Sequence, residues 1–345
     1  MKAVVYEGPG RVAVRTVPDP ILVDAADALV RVTRAAICGT DLHLIAHGDD
    51  LAPGTVLGHE FVGEVVEIGA GVRDIRVGDA VASADFTACG SCWWCRAGDH
   101  WECERRAFFG TGKAFGPHLD GAQAQYVRVP FADIALHRPA AGTDPEAALF
   151  LGDILATGYG AVRRAGVRPG ATIAVVGGGP VGQLTSQAAQ ACAAGPVVVI
   201  EPIAARRALA AASGAVAVTP DDARGVIDRL TEGRGADAVI DAVGGSRGLD
   251  TALGVVRKRG TLVSVGVHAD ATWPLPVARA FADELTLTFA IGNAIRDRDE
   301  ISALLAAGVI DPTVVIDHRL GLDDAADGYA AMIERRCVKA VLTVS

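Results

Sequence analysis

The chain lacks an excess of basic residues and long apolar runs. Its 345 residues include 32 lysines and arginines against 41 aspartates and glutamates, and the net charge of −9 argues against nucleic-acid binding. The apolar runs are short and interrupted by glycine, proline or charge, which argues against membrane spans. The first residues, Met1 to Glu7, show no signal-peptide core followed by a cleavage site. We therefore expect a cytoplasmic protein with neither a nucleic-acid nor a membrane partner.

Cysteine is also scarce, but four of the seven cysteines fall close together, at Cys89, Cys92, Cys95 and Cys103. Disulfides are not expected in a cytosolic chain of this size, where such a cluster usually indicates a metal. Four thiolates complete a tetrahedral zinc shell and leave no position for a substrate, so the pattern predicts a structural zinc site. An iron–sulfur cluster uses the same four ligands and stays open as the alternative.

The pattern of apolar residues differs between the two halves of the chain, and the length of the chain allows two domains. Residues 1 to about 150 read as short strands joined by glycine-rich turns, which predicts an irregular β-domain. After Leu155, continuous valine and isoleucine runs alternate with helical segments, which is typical of a parallel sheet buried on both faces. Leu285–Ile291 is expected at the edge of that sheet, and residues 293–345 are expected to return to the first domain.

A glycine-rich turn predicts a dinucleotide-binding loop in the second half. The pattern G-x-G-x-x-G directly follows the apolar run Ala171–Val176 and opens a predicted helix, so its amide groups can face a pyrophosphate. The residues assigned to this loop are Gly177, Gly179, Pro180, Val181 and Gly182.

The acidic residue Glu201 ends the next predicted strand, about 20 residues beyond the loop, where a carboxylate hydrogen-bonds the ribose hydroxyls of the cofactor. A carboxylate there repels a 2′-phosphate, so we predict NAD rather than NADP. Arg206 and Arg207 lie nearby and weaken that preference, and Arg206 is a candidate cofactor contact.

A second group of metal-ligand residue types lies near the N-terminus. Cys38 opens the run Cys-Gly-Thr-Asp-Leu-His, and His59 stands in the triplet Gly-His-Glu. Both are suitable zinc ligands, although two residues so far apart in sequence establish little alone.

Taken together, these motifs occur in an order and spacing that resembles the zinc-containing medium-chain dehydrogenase/reductase family, over essentially the whole chain. The resemblance implies an α/β protein with a GroES-like irregular β-domain and a Rossmann doubly wound parallel sheet. The implied domains are a catalytic zinc-binding domain (1–153), an NAD-binding domain (154–292) and a C-terminal segment (293–345) that returns to the first.

The resemblance also implies a catalytic zinc held by Cys38, His59 and Asp153, with the four-cysteine zinc as the second ion of each subunit. Many members of the family have a cysteine where this chain has Asp153. Glu60 matches the acidic neighbour of the zinc, and Asp41 is implied to accept a hydrogen bond from His59.

The same resemblance assigns a proton relay and two further cofactor contacts. Thr40 is implied to take the alcohol proton, which passes through the nicotinamide ribose hydroxyl to His43 and then to solvent. Thr157 is implied to pack against the nicotinamide, and Lys339 to lie near the pyrophosphate, although each match rests on a single residue. The implied reaction site is the cleft between the two domains.

The expected function is therefore hydride transfer between a primary or secondary alcohol, or the matching aldehyde or ketone, and NAD. The apolar residues Phe108, Phe109 and Phe115 favour a small apolar substrate, whereas Asp85 and His118 are equally able to line a polar pocket. A polyol, amino-alcohol or aldehyde dehydrogenase therefore stays open.

A catalytically silent dinucleotide-binding protein and a zinc-free quinone reductase are disfavoured, because every zinc-ligand and relay residue is present. An unpaired edge strand and the resemblance both favour a homodimer or homotetramer. Two cysteines and six histidines receive no role: Cys192, Cys337, His47, His100, His118, His137, His268 and His318.

Overall fold

The computed structural model describes residues 1–48 and 51–345, which form two compact units. The first unit contains residues 1–153, 293–306 and 316–345. The second contains residues 154–292 and 307–315. Among the described residues, no helix combines the length and the apolar character needed to cross a bilayer.

The strands and helices are numbered separately along the chain. The strands are β1 Lys2–Gly8, β2 Arg11–Thr16, β3 Ala28–Ala36, β4 Glu60–Ile68, β5 Ala80–Ser83, β6 Phe86–Thr87, β7 Ala107–Phe108, β8 Tyr126–Val129, β9 Leu136–His137, β10 Ile173–Val176, β11 Val197–Ile200, β12 Val216–Val218, β13 Ala236–Asp241, β14 Val256–Ser264, β15 Thr286–Phe289, β16 Ile316–Gly321 and β17 Lys339–Thr343. The α-helices are α1 Gly39–His47, α2 Trp93–Ala97, α3 Ala132–Ala135, α4 Pro145–Ala148, α5 Ile154–Arg164, α6 Pro180–Ala191, α7 Ala204–Ala212, α8 Pro220–Thr231, α9 Gly245–Val255, α10 Val277–Ala282, α11 Ala294–Ala306 and α12 Ala325–Ile333. Short 3₁₀ turns cover His100–Glu102, Leu149–Leu151, Pro312–Val315 and Leu322–Asp324.

The first unit is built on a sheet with strand order β16-β17-β3-β4-β5-β9, and β8 also pairs with β3. The C-terminal strand β17 pairs antiparallel with β3, where Val341 lies opposite Ala36, so the chain end is part of this sheet. Phe61, Val65 and Leu342 are fully buried in the core beneath it. The ends of β3, β4 and β17 are therefore held together by one continuous set of backbone hydrogen bonds.

The second unit contains a parallel sheet with strand order β12-β11-β10-β13-β14-β15. All residues of β10 and β11 are buried, which explains their continuous valine and isoleucine composition. The order reverses beside β10, the strand that leads into the glycine loop, as in doubly wound sheets that bind dinucleotides. The fold class predicted from the sequence is confirmed.

One helix extends further than its apolar residues indicate. Helix α8 begins before its apolar residues, with a first turn that carries Asp221 and Asp222. Thr219 caps this helix by accepting a hydrogen bond from the Asp222 amide, at 3.3 Å. Acidic residues in a first turn are favoured by the helix dipole. Because this turn has few apolar residues, apolar periodicity does not predict it.

Candidate metal and cofactor sites

Cys38, His59 and Asp153 meet in the first unit although they are far apart in sequence. Cys38 stands between β3 and α1, His59 immediately precedes β4, and Asp153 follows the 3₁₀ turn Leu149–Leu151. The Asp153 Oδ2 atom lies 3.3 Å from the Cys38 Sγ atom and 3.4 Å from the His59 Nε2 atom. One donor atom from each residue lies within 4.8 Å of the others.

Two glycines allow the backbone to approach closely enough for this arrangement. Gly58 has a φ of +95°, and an added Cβ atom would lie 2.4 Å from the Gln123 side chain. At Gly152 an added Cβ atom would lie 2.0 Å from the Ser83 carbonyl oxygen. A side chain at either position would displace the segment that carries His59 or Asp153.

The donors fit a zinc ion both in chemistry and in spacing. A thiolate, an imidazole and a carboxylate are accepted zinc ligands, and bonds of 2.0–2.3 Å place tetrahedral ligands about 3.3–3.8 Å apart. Within the described part of the chain, neither ring nitrogen of His59 makes a hydrogen bond of regular geometry, although the ring is fully buried. The His59 Nδ1 atom lies 3.2 Å from the Asp41 Oδ1 atom, which leaves Nε2 directed at the other two ligands.

The raised pKa values of the Cys38 and His59 side chains also indicate a site that favours a cation. Burial, and then repulsion from Asp153, raises the pKa of the Cys38 thiol to about 11. Burial acts to lower the pKa of His59, but Asp41, Cys38 and Asp153 outweigh it and raise that pKa well above its usual value. A divalent cation would replace the protons that these buried ligands otherwise retain.

Glu60 forms a buried ion pair with Lys339 beside the three ligands. The Lys339 Nζ atom lies 2.5 Å from the Glu60 Oε2 atom, and neither side chain is more than 1% exposed. Burial acts to lower the pKa of Lys339, but the Glu60 carboxylate outweighs it, so the ammonium stays protonated. The predicted role of Lys339 near the pyrophosphate is untested, and the structure shows its ammonium at Glu60. Lys339 directly precedes the buried residues Ala340–Leu342, and a lysine buried with them requires an acidic partner. This position in the sequence could have indicated the ion pair.

Thr40 and His43 lie one turn apart on α1, on the same side of the helix, and both are half-buried. The rings of His43 and His47 are 4.5 Å apart in an edge-to-face arrangement. Burial, followed by the charge of His47, lowers the pKa of His43. His43 is therefore neutral, and able to accept a proton, at neutral pH; its relay role stays a prediction.

An aromatic cluster contacts the ring of His59 through Phe108. Phe108 contacts His59 edge-to-face at 5.1 Å, and Trp101 and Phe115 pack against Phe108 at 5.8 Å and 5.4 Å. Phe109 instead packs on Phe61 in the core.

Of the two polar residues considered for the pocket, only Asp85 lies near the ligands. Asp85 is 6% exposed, and burial and the charge of Asp153 raise its pKa well above the usual value. His118 lies on a surface groove beside Asp120, together with Met1 and Val17.

The four cysteines of the second cluster come together in a separate lobe of the first unit. Their sulfur atoms all lie within 4.8 Å, with Cys89 and Cys95 4.0 Å apart and Cys92 and Cys95 3.5 Å apart. Backbone amides donate to the sulfurs, including that of Cys89 to Cys103 at 3.2 Å. Tetrahedral zinc–thiolate bonds of 2.3 Å place sulfurs about 3.8 Å apart, so this lobe fits a closed zinc shell.

The glycine loop of the second unit has the backbone features of a pyrophosphate site. Gly177 has a φ of +96°, and a Cβ atom at Gly182 would lie 1.9 Å from the Gly177 carbonyl oxygen. Gly179 precedes α6, and Pro180 is the first residue of that helix. Val181 follows in the first turn, so the helix N-terminus opens at the loop.

Glu201 lies at the end of β11, beside that loop. Its Oε2 atom accepts a hydrogen bond from the Gly178 amide at 2.7 Å, and its Oε1 atom accepts one from the Ile203 amide at 2.8 Å. Arg206 Nη1 would lie 3.8 Å from a Cβ atom at Gly179, whereas Arg207 donates to the Glu201 and Pro202 carbonyl oxygens. Glu201 and Arg206 thus lie beside the glycine loop, whereas the Arg207 side chain is directed at backbone carbonyl oxygens that follow β11.

Thr157 lies on α5 in the second unit. An added Cβ atom at Gly292 would lie 2.4 Å from its hydroxyl oxygen, so the glycine is required there. The predicted contact of Thr157 with nicotinamide stays untested.

Comparison with known proteins gives concordant results for both units. The family described as alcohol dehydrogenase GroES-like domain matches residues 24–139, and the family described as zinc-binding dehydrogenase matches residues 180–307. The alcohol dehydrogenase TADH from Thermus sp. ATN1 superposes with a TM-score of 0.96 and 39% identity, over 100% of both chains. A protein named as a zinc-binding alcohol dehydrogenase in Mycobacterium tuberculosis is 38% identical over 96% of this chain and 85% of its own length.

More distant relatives differ in cofactor and substrate. A zinc-binding dehydrogenase from Sinorhizobium meliloti 1021, solved bound to NADP, has 31% identity and a TM-score of 0.87, over 99% of this chain and 98% of its own. Other relatives include a sorbitol dehydrogenase of Bacillus subtilis at 29% identity, over 99% of this chain and 97% of that protein. An L-threonine 3-dehydrogenase of Caldanaerobacter subterraneus is 30% identical, over 92% of this chain and 91% of its own length.

Proposed function

This chain belongs to the zinc-containing medium-chain dehydrogenase/reductase family, and we propose that it oxidises small primary or secondary alcohols with NAD, and performs the reverse reduction. Members of this family are oxidoreductases that use zinc and a nicotinamide cofactor on small alcohols. The observation that supports the proposal is the buried group of Cys38, His59 and Asp153, whose donors converge at zinc-ligand spacing.

The functional division follows the two units. In this proposal residues 1–153 supply the metal ligands and residues 154–292 bind the cofactor. Of the C-terminal segment 293–345, residues 293–306 and 316–345 complete the first domain, whereas residues 307–315 pack with the second unit. Bound zinc would lower the pKa of an alcohol as a Lewis acid, and bound nicotinamide would take up the hydride.

The residues of the first unit hold the metal and move the proton. Cys38, His59 and Asp153 would grip the cation, and Asp41 would fix the orientation of His59. Thr40 Oγ1 would accept the hydroxyl proton of the substrate while its own hydroxyl proton is passed on, and neutral His43 would take up that proton and release it towards solvent. Glu60, held by Lys339, keeps a carboxylate beside the ligands.

Replacing a metal ligand tests this assignment. We expect Cys38→Ala and His59→Ala to lose one zinc and all turnover while retaining NAD binding, because the cofactor loop lies in the other unit. Cys192→Ser and His118→Ala serve as matched controls outside these sites. Retained alcohol oxidation in either ligand variant would reject the proposed zinc centre.

We propose two zinc ions for each chain, the second in the four-cysteine lobe. The closed arrangement of four sulfurs supports a structural ion rather than a catalytic one. Metal analysis of purified protein should give two equivalents of zinc, and an iron content with visible absorption would indicate the iron–sulfur alternative.

We propose NAD as the preferred cofactor because Glu201 places a carboxylate at the glycine loop. A 2′-phosphate would meet this charge at short range, although Arg206 offsets part of the repulsion. Glu201→Gln should raise kcat/KM with NADP relative to NAD by about tenfold or more. An unchanged ratio would remove Glu201 from the selection.

For the substrate, the aromatic surroundings of His59 support an apolar alcohol or ketone. Phe108 packs against His59, and Phe115 and Trp101 pack against Phe108, whereas buried Asp85 would favour a second hydroxyl or an amino group. The sorbitol and threonine dehydrogenases among the relatives keep polyol and amino-alcohol substrates as the second candidate. An NADH-absorbance assay over primary, secondary, polyhydroxy and amino alcohols would decide between them.

We further propose that the protein is a homodimer or homotetramer. Strand β15 ends its sheet and pairs with β14 on one side only. Phe289 and Ile291 beside this edge are each 54% exposed, so exposed apolar area lies next to the unpaired side of the strand. A monomeric mass in light scattering would contradict this proposal.

A further inference from the structure

A third group of metal-ligand side chains lies in the first unit, on residues that the sequence left without a role. Asp317 and His318 stand at the start of β16, and Cys337 lies two residues before β17. One donor atom from each lies within 4.8 Å of the other two. These three residues are called the β16–β17 cluster below.

An irregularity in the sheet brings two adjacent residues to one point. Neighbouring side chains of a regular strand point to opposite faces, so Asp317 and His318 would normally diverge. In the pairing of β16 with β17, Ile316 lies opposite Lys339 and His318 opposite Ala340, so Asp317 is an extra residue. Such bulges redirect side chains and occur often beside functional sites.

The β16–β17 cluster repeats the donor set and the spacing of the proposed catalytic cluster. The Asp317 Oδ1 atom lies 3.0 Å from the Cys337 Sγ atom and 3.3 Å from the His318 Nδ1 atom. The corresponding distances from Asp153 Oδ2 are 3.3 Å and 3.4 Å. Both clusters therefore offer a sulfur, a nitrogen and an oxygen at the separation of tetrahedral ligands.

The surroundings of the His318 and Asp317 donor atoms are also suited to binding a cation. The His318 Nδ1 atom is buried and makes no hydrogen bond of regular geometry within the described residues. The Asp317 carboxylate accepts hydrogen bonds from the Cys337 thiol and from the Val338 and Lys339 amides. The Val338 amide, 2.8 Å from Oδ2, fixes the orientation of this carboxylate.

We propose that Asp317, His318 and Cys337 form a third metal site, which takes a divalent transition-metal cation such as Zn²⁺. Mixed sulfur, nitrogen and oxygen donors select zinc and its neighbours over calcium or magnesium, which prefer oxygen alone. On binding, the Cys337 thiol releases its proton to solvent and its sulfur bonds to the cation.

Access distinguishes this site from the closed four-cysteine lobe. The side chains of Asp317 and His318 are 40% and 33% exposed, whereas Cys337 is buried. A cation can therefore reach the site from solvent, and water completes its coordination. The site does not depend on the proposed catalytic function.

The test compares zinc contents at equilibrium. Tag-free protein that already holds its resident zinc is dialysed against a series of buffered free Zn²⁺ concentrations, and bound zinc is measured by mass spectrometry. The parent should bind one equivalent more than His318→Ala and Cys337→Ser, or bind it at least tenfold more tightly. His118→Ala and Cys192→Ser, which alter the same residue types elsewhere, should match the parent.

Equal zinc binding by the parent and His318→Ala would overturn the proposal. This variant alters a partly exposed side chain, so it decides the question even if Cys337→Ser fails to fold. Added Co²⁺ should also give near-ultraviolet thiolate absorption in the parent that Cys337→Ser lacks. Failure of the proposed catalytic zinc would lower the zinc content of parent and variants equally, so their difference reports this site alone.

Discussion

The buried pair of Glu60 and Lys339 provides a quantitative test of the electrostatics of the first unit. Both side chains are at most 1% exposed, and their charged atoms are 2.5 Å apart. Replacing Lys339 with Met keeps most of the apolar stem but leaves the carboxylate without its cation. Removing one partner of such a pair costs about 3–5 kcal/mol, because an uncompensated charge stays buried.

The magnitude can be worked from proton linkage. Burial raises the pKa of Glu60 to about 8 even beside Lys339, and without the ammonium that pKa rises further, so the folded variant keeps the carboxyl protonated. A glutamate has a pKa of about 4.3 when unfolded, so holding the proton at pH 7 costs about 2.7 pH units at 1.4 kcal/mol each; the resulting value of about 4 kcal/mol is the upper limit of the loss, because burial already acts on Glu60 in the parent. A raised folded-state pKa gives a penalty that grows as the pH rises, so the loss should fall to about 2 kcal/mol at pH 5.5.

The assay is urea unfolding followed by tryptophan fluorescence in a Trp273→Phe background. The remaining tryptophans, Trp93, Trp94 and Trp101, all lie in the first unit, so the signal reports that unit alone. The double variant Lys339→Met with Glu60→Gln should recover most of the loss, because glutamine is neutral in the buried site without binding a proton. A loss below about 1 kcal/mol at pH 7, or one that does not change between pH 5.5 and 7, would refute the reasoning.

Three further predictions concern the other parts of the candidate sites. Cys95→Ser should lose one zinc and lower the thermal midpoint, by roughly 4–8 °C if about 2 kcal/mol of stability is lost; an unchanged zinc content, by metal analysis, would contradict the closed lobe. His43→Ala should slow alcohol oxidation. In the parent, kcat should fall at low pH as His43 is protonated, with a midpoint below the ordinary histidine pKa because burial lowers the pKa of His43, and this fall should be absent from the variant. A kcat–pH profile identical to that of the parent would exclude the relay. Phe115→Ala should raise KM for apolar secondary alcohols by about 5- to 30-fold, since an aromatic contact of about 1–2 kcal/mol is lost, and an equal effect on polyols in the same assay would argue against an apolar pocket.

Features that depend on residues close together in the chain could be predicted from the sequence. The four-cysteine spacing places its ligands in one short loop, and the glycine turn is read from the strand before it and the helix after it. The alternation of buried strands with helices likewise predicts a parallel sheet, because both signals repeat locally.

The remaining site depends on contacts between distant residues. Glu60 meets Lys339 because β4 and β17 both flank β3 in one sheet. No local pattern records this pairing, which follows from strand order and register. Asp153 was placed by resemblance alone, for the same reason.

The sequence by itself therefore determined the donor types, the cofactor loop and the fold class, all of which depend on short-range order. Only the tertiary structure decided which donors converge. A one-residue bulge at Asp317 gathers three side chains that periodicity had left unassigned, because strand register sets the direction of every side chain that follows it.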